Sequence, residues 1–154
     1  TLFALLDEEA PSPNEADGIR QTVADAAAHL ARGDRSAAAG RFIDFWMGDG
    51  SWAHTPENRR APIEDAIAHV QGWGTALFTQ PTPLSDFAAL DVPVLLMVGS
   101  ESPASSRGVA RRLASVLPRL QLQELEGLGH MGPVTHPERV NAIIEDFLRR
   151  ELAT

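Results

Sequence analysis

The chain has 154 residues, 44% hydrophobic and 22% charged, a length and composition that fit one globular domain with a real core. Its net charge of −8 argues against nucleic acid and anionic membrane surfaces as partners, since both need clustered positive charge. It has no cysteine and no lysine, which excludes disulfides, thiolate nucleophiles, cysteine-ligated zinc, Schiff-base lysines and the lysine of a phosphate-binding loop.

In chain order, Thr1 to Leu6 is apolar and reads as extended, like the tail of an element whose beginning lies elsewhere. Asp7-Glu8-Glu9-Ala10-Pro11-Ser12-Pro13 then reads as an acidic, proline-broken loop. From Asn14 to Phe78 the pattern is helical. Ile19, Val23, Ala26, Ala27 and Leu30 recur at helical spacing, and Gly33 supplies a stop. Asp34 can cap a second helix, whose apolar side holds Phe42, Ile43, Phe45 and Trp46 and which ends at Gly48-Asp49-Gly50. Thr55-Pro56 resembles a cap with proline in the first turn of a third helix. Ile63, Ile67 and Val70 continue it, and Gly72 and Gly74 loosen its end.

Gln80-Pro81-Thr82-Pro83 reads as a linker and Ser85 to Leu90 as a short helical turn. Val92 to Val98, closed by Gly99, is a near-continuous apolar run of the kind expected of a strand buried on both faces. Ser102-Pro103 opens a helix through Leu117, Leu120 to Leu125 is a second strand, and Pro137 to Leu152 is a final helix. Strand, helix, strand, helix implies parallel pairing through right-handed crossovers. Two strands do not make a doubly covered sheet, so other residues must complete it. No apolar run approaches the roughly 20 residues of a membrane span.

The chemistry concentrates in Gly127-Leu128-Gly129-His130-Met131-Gly132-Pro133. A histidine in a glycine-flanked loop after a strand suits a general base. No Gly-x-Ser-x-Gly turn accompanies it to supply a nucleophile. His136 precedes a helix-starting proline and reads as structural. His29, His54 and His69 share no metal-ligand spacing with a carboxylate, so no metal site is expected. The serines Ser100, Ser102, Ser105 and Ser106 cluster at a helix start, where capping explains them. A threonine at a mature N-terminus can act as a nucleophile, but the pattern around Thr1 lacks the sheet sandwich such enzymes use.

Three stretches together carry a family resemblance: Asp91-Val92-Pro93-Val94-Leu95-Leu96-Met97-Val98-Gly99, Leu122 to His130, and His136-Pro137-Glu138-Arg139-Val140 through Leu148. They resemble the C-terminal half of an α/β-hydrolase: its penultimate strand, its last strand with the histidine loop, and its closing helix. The resemblance implies an α/β fold, the C-terminal part of an α/β-hydrolase with a helical lid. Residues 1–13 would end an upstream element, 14–79 would be the lid, and 80–154 the βαβα part of the core.

It implies His130 as the catalytic histidine, with the nucleophile upstream of Thr1. The family's acid position falls on Ser102, which cannot stabilise an imidazolium as a carboxylate does. Glu101, adjacent, is a weak candidate for the acid, and an acid at or before Thr1 is the favoured alternative. Met131 and the tryptophans Trp46, Trp52 and Trp73 are candidates for contact with an apolar substrate, set against ordinary packing.

The expected reaction is hydrolysis of a small, partly apolar ester-like substrate (or a lactone, epoxide or haloalkane), with no metal or organic cofactor. The expected partners are the upstream half of the same hydrolase and the small-molecule substrate, with no nucleic acid and no membrane. By itself the chain is expected to be inactive, and unstable or self-associating. A ligand-binding or interaction protein on the same scaffold, or an inactive proteolytic fragment, is the competing reading. Location is expected to be cytoplasmic, with secretion left open by a start other than methionine.

Overall fold

The computed structural model describes residues 2–153. Five helices come first: α1 (Ala4–Glu9), α2 (Asp17–Ala31), α3 (Arg35–Met47), α4 (Glu57–Ala66) and α5 (Val70–Phe78), with a 3-10 turn at Ile67–His69 between the last two. The short α6 (Leu84–Phe87) leads into β1 (Val94–Gly99), α7 (Ala104–Ala114), β2 (Leu120–Leu125), α8 (Gly132–Thr135) and α9 (Pro137–Leu152). Strands β1 and β2 pair in parallel, with Val94 opposite Leu120 and Gly99 opposite Leu125. The chain thus has the α/β character expected of it, mostly helical around a small parallel sheet. No helix among the described residues is long and apolar enough to cross a membrane.

The opening departs from the extended segment expected there. Ala4-Leu5-Leu6-Asp7-Glu8-Glu9 forms α1, because alanine, leucine and glutamate favour a helix and one face of that helix can be buried. Phe3, Leu5 and Leu6 are sequestered, with Phe3 at 0% exposure. The supposed acidic loop is therefore partly helical, and each of its carboxylates is engaged. Asp7 pairs with Arg20, Glu8 Oε2 accepts from the backbone N–H of Leu84 at 3.0 Å, and Glu9 lies 3.6 Å from both Arg111 and Arg112.

The α2 and α3 helices match the sequence pattern closely. Asp34 Oδ1 accepts from the backbone N–H of Ala37 at 2.9 Å, relieving one unpaired donor at the start of α3. Asp34→Ala is therefore expected to cost about 1 kcal/mol, read as a lowered urea midpoint at unchanged m-value. The Thr55-Pro56 reading does not hold. Thr55 Oγ1 bonds back to the Ser51 carbonyl at 3.1 Å, and Pro56 itself is the residue before α4. Nor does Gly74 loosen a helix end. It lies inside α5, where a Cβ would come within 2.9 Å of Val23 Cγ1, so its bareness lets α5 lie close on α2.

β1 starts at Val94, two residues later than the apolar run, because Pro93 has no N–H for the ladder. Its residues are half-buried up to a buried Gly99, in contrast to the burial on both faces expected of the run. The reason is the narrow sheet: β2 covers one edge of β1, and Leu122 on β2 remains 50% exposed.

Three apolar clusters hold the elements. Phe3, Leu6, Ala16, Ile19 and Val109 join the helical block to α7. Ala26, Ala38, Ala39, Ile67 and Val70 knit α2, α3 and α5 through small residues that let the helices approach. Leu125, Leu128 and Val140, with Met97, Ile143 and Ile144, seat α9 against the sheet.

Candidate active site

The loops after β1 and β2 are laced together, and this fixes His130. Ser100 N–H donates to the Leu125 carbonyl at 3.1 Å, and Glu101 N–H to the Leu128 carbonyl at 3.0 Å. Ser100 Oγ in turn accepts from the N–H of Gly127 at 2.9 Å. Gly127 turns the chain with φ of +72°, a conformation that costs a residue with a Cβ. The chain then closes on itself: Gly132 N–H donates to Gly129, Val134 and Thr135 to Met131, and His136 to Gly132. This builds α8, a four-residue helix in place of a plain loop. His130 stands between the two parts, at the C-terminal end of the parallel sheet, where open α/β folds bind their ligands.

The imidazole is half-buried. Its ring lies 4.3 Å from that of Trp46, centroid to centroid, tilted by 37°. Trp46 is itself braced by Phe45 at 4.9 Å and Phe3 at 6.5 Å. Ser106 Oγ lies 3.3 Å from His130 Nδ1. No hydrogen-bond partner meets Nε2 among the described residues. Burial holds the pKa of His130 below that of an ordinary histidine, so the neutral, basic form dominates at neutral pH.

His130 lines a cleft of about 380 Å³ together with Leu96, Met97, Val98, Gly99, Ser106 and Val109 among others. Successive strand residues point to opposite faces, so a cleft touching four in a row runs along the edge of β1, the edge that β2 leaves unpaired.

The structure gathers only part of the expected set. Trp46 sits on His130. Trp52 does not; its ring would be 2.9 Å from a Cβ on Gly40, and Arg60 lies 5.5 Å from its centroid, so it packs inside the helical block. Trp73 is 41% exposed beside Phe42 and His69. Met131 turns toward a second apolar hollow with Ile43, Met47 and Val134. The exposed Glu101 carboxylate makes no hydrogen bond or ion pair, with His130 or any other described residue. It borders a neighbouring polar cleft with Asp44, Trp46, Asp49 and Ser105. Ser102 is buried, at 4% exposure, and lines the same cleft as His130. His136 Nδ1 is 2.8 Å from Thr135 Oγ1 at the start of α9, away from His130's partners. Thr1 lies outside the described residues.

Sequence reasoning misses two neighbours. The extended reading of its segment hides Phe3, although an aromatic residue ahead of a run of helix formers is a usable signal. Ser106 looks like one of several capping serines, and no spacing rule connects it to a histidine 24 residues on.

No curated protein matches the chain. Among solved structures, an esterase from Rhodococcus sp. is similar over 87% of this chain and 48% of its own, at 20% identity and a TM-score of 0.63. MenH from S. aureus is similar over 90% and 55%, at 18% identity and a TM-score of 0.60. An alpha/beta hydrolase from Sphaerobacter thermophilus is 27% identical over 80% and 48%, with a TM-score of 0.56. The chain therefore spans about half the length of the solved structures it resembles. The model of the alpha/beta hydrolase family matches residues 5–143, which take in the helical block, the parallel β1–β2 pair, the histidine loop and the start of α9, and the chain belongs to that family.

Proposed function

We propose that this segment supplies the lid and the histidine of a hydrolase whose nucleophile lies in a preceding stretch of protein. The observation that carries the reading is His130: half-buried, with its pKa lowered by burial, and lining a cleft along an open strand edge. A neutral imidazole can take the proton from an attacking hydroxyl, or from water in breakdown of the covalent intermediate. The open edge of β1 is where a further parallel strand, and with it the nucleophile-bearing half, would pair. The α1–α5 block would act as the lid, with Trp46 presenting an apolar wall beside the reacting group. A small, partly apolar ester fits that wall best, with lactone, epoxide or haloalkane as chemical neighbours. The protein is expected to work in the cytoplasm and to need no metal or organic cofactor.

The test is affinity capture from the native source with an antibody to the α9 segment, followed by intact mass spectrometry and assay on short p-nitrophenyl esters. Expected are ester turnover and a Gly-x-Ser-x-Gly or Gly-x-Asp turn on the captured polypeptide or on one that accompanies it. The purified 154-residue chain is expected to show no turnover. Absence of turnover in the captured protein, or turnover by the 154-residue chain alone that is lost in His130→Ala, would contradict the reading.

A second reading has its own support. Ser102 stands where the family's acid is expected, and His130 meets no carboxylate among the described residues. A scaffold without its acid would hold ligand without turning it over. Saturable binding of a p-nitrophenyl ester, with no release of p-nitrophenol by the captured protein, would favour this reading.

A further inference from the structure

The hydroxyl of Ser106 is the one side-chain group in hydrogen-bond contact with the His130 ring among the described residues, and it meets Nδ1 alone, at 3.3 Å. Ser106 stands in the first turn of α7, one turn beyond Pro103. That turn is fixed from below, because the N–H of Ser106 donates to the Pro103 carbonyl at 2.9 Å and that of Arg107 to the same carbonyl at 3.2 Å. The ring of Trp46, 4.3 Å away, presses on the imidazole as well. Among the described residues the imidazole is thus held by an aromatic ring and a single hydroxyl, and none of them bonds Nε2.

Two hydrogen-bond directions are open to such a pair, and they have opposite chemical meanings. If the hydroxyl donates to Nδ1, the proton of the neutral ring is on Nε2 and that nitrogen has no lone pair to offer. If Nδ1–H donates to Oγ, the lone pair stays on Nε2, the nitrogen without a partner. A free imidazole favours the Nε2–H form, so the second arrangement needs an acceptor at Nδ1. We infer that Ser106 is a positioning residue for His130: its Oγ accepts from Nδ1–H and so keeps Nε2 as the base, the tautomer-fixing role that a carboxylate plays in a catalytic triad. The inference rests on the hydrolase reading for its purpose, although the tautomer itself can be observed without any turnover.

A hydroxyl does only half of what a carboxylate does. It orients the ring and selects the tautomer, but it brings no negative charge to stabilise an imidazolium. This is consistent with a site where burial already disfavours the protonated ring.

The experiment is long-range ¹H–¹⁵N correlation spectroscopy at neutral pH on the captured protein, isotopically labelled on histidine, with His130 assigned by its loss in His130→Gln. The expected spectrum shows Nδ1 protonated and Nε2 bare. Ser106→Ala is expected to move the proton to Nε2, and Ser106→Thr, which keeps the hydroxyl, to leave it on Nδ1. If Ser106→Ala does not fold, Ser106→Cys replaces it, since a thiol is a much weaker acceptor. An Nε2–H ring in the unaltered protein, or an Nδ1–H ring that persists without the hydroxyl, overturns the inference. Failure of the hydrolase reading shows itself separately, as an Nδ1–H ring in a protein with no ester turnover.

Discussion

In the proposed hydrolase, His130→Ala is expected to lower kcat roughly 10⁴- to 10⁶-fold while changing KM little, because the imidazole acts on the proton in flight and not on the bound substrate. The residual rate would come from binding and from oxyanion stabilisation, neither of which needs this ring. The acid limb of kcat/KM should fall below the ordinary histidine value of about 6.5, because desolvation disfavours the imidazolium in the folded protein. The same displacement links to stability. Between the lowered folded pKa and the unfolded one, the unfolded chain binds more protons, so folding stability rises with pH across that window and is constant above it on this account. His130→Gln should flatten that part of the profile, measured as Tm against pH from about 5 to 8. A rate limb above about pH 7, or an alanine variant within roughly tenfold of the parent, would remove His130 from the chemistry.

The placement of β2 and α9 is legible in the sequence because both are bounded by local chemistry. Leu120 to Leu125 lies between Pro118 and the turn at Gly127, and α9 opens on Pro137 with its apolar positions at helical spacing. α2 and α3 are legible for the same reason, with Gly33 and Asp34 marking the junction. Phe3 and α1 are not. The six residues of α1 are too few to display a helical period, and what makes them a helix is burial against residues distant in the chain, Ile19 and Val109.

Within the site, the backbone position of His130 follows from its motif, but its neighbours do not. Trp46 and Trp52 sit on or just beyond the same helix and look equivalent in sequence. Gly40 gives Trp52 a slot inside the helical block, while Trp46 is left to face the imidazole. The exposed Glu101 illustrates a different limit. Adjacency in sequence to the acid position puts it near the loop, yet the turn that buries Ser102 leaves the neighbouring carboxylate outside.

Gly99 shows how the sheet and the histidine depend on one another. It closes β1 opposite Leu125, and it is buried beneath the loop that carries His130. A Cβ at this position would stand 2.1 Å from the Leu128 carbonyl oxygen and 2.8 Å from that of Gly129. Both atoms are backbone, so no rotamer change relieves the clash. The loop must lift, and its hydrogen bonds from Ser100 and Glu101 would be stretched with it. Gly99→Val is therefore expected to cost at least about 3 kcal/mol, at the upper end of overpacking effects. Any folded fraction should also show His130 displaced from Trp46, detectable as a changed indole fluorescence and loss of the Ser106 contact. Gly129→Ala provides the control. At that loop glycine a methyl would meet nothing within 4 Å, and the backbone has no left-handed φ. Its replacement should leave stability within about 0.5 kcal/mol of the parent. Equal effects at the two glycines, read from urea unfolding midpoints, would show that the close approach at the end of β1 is not what seats the histidine loop.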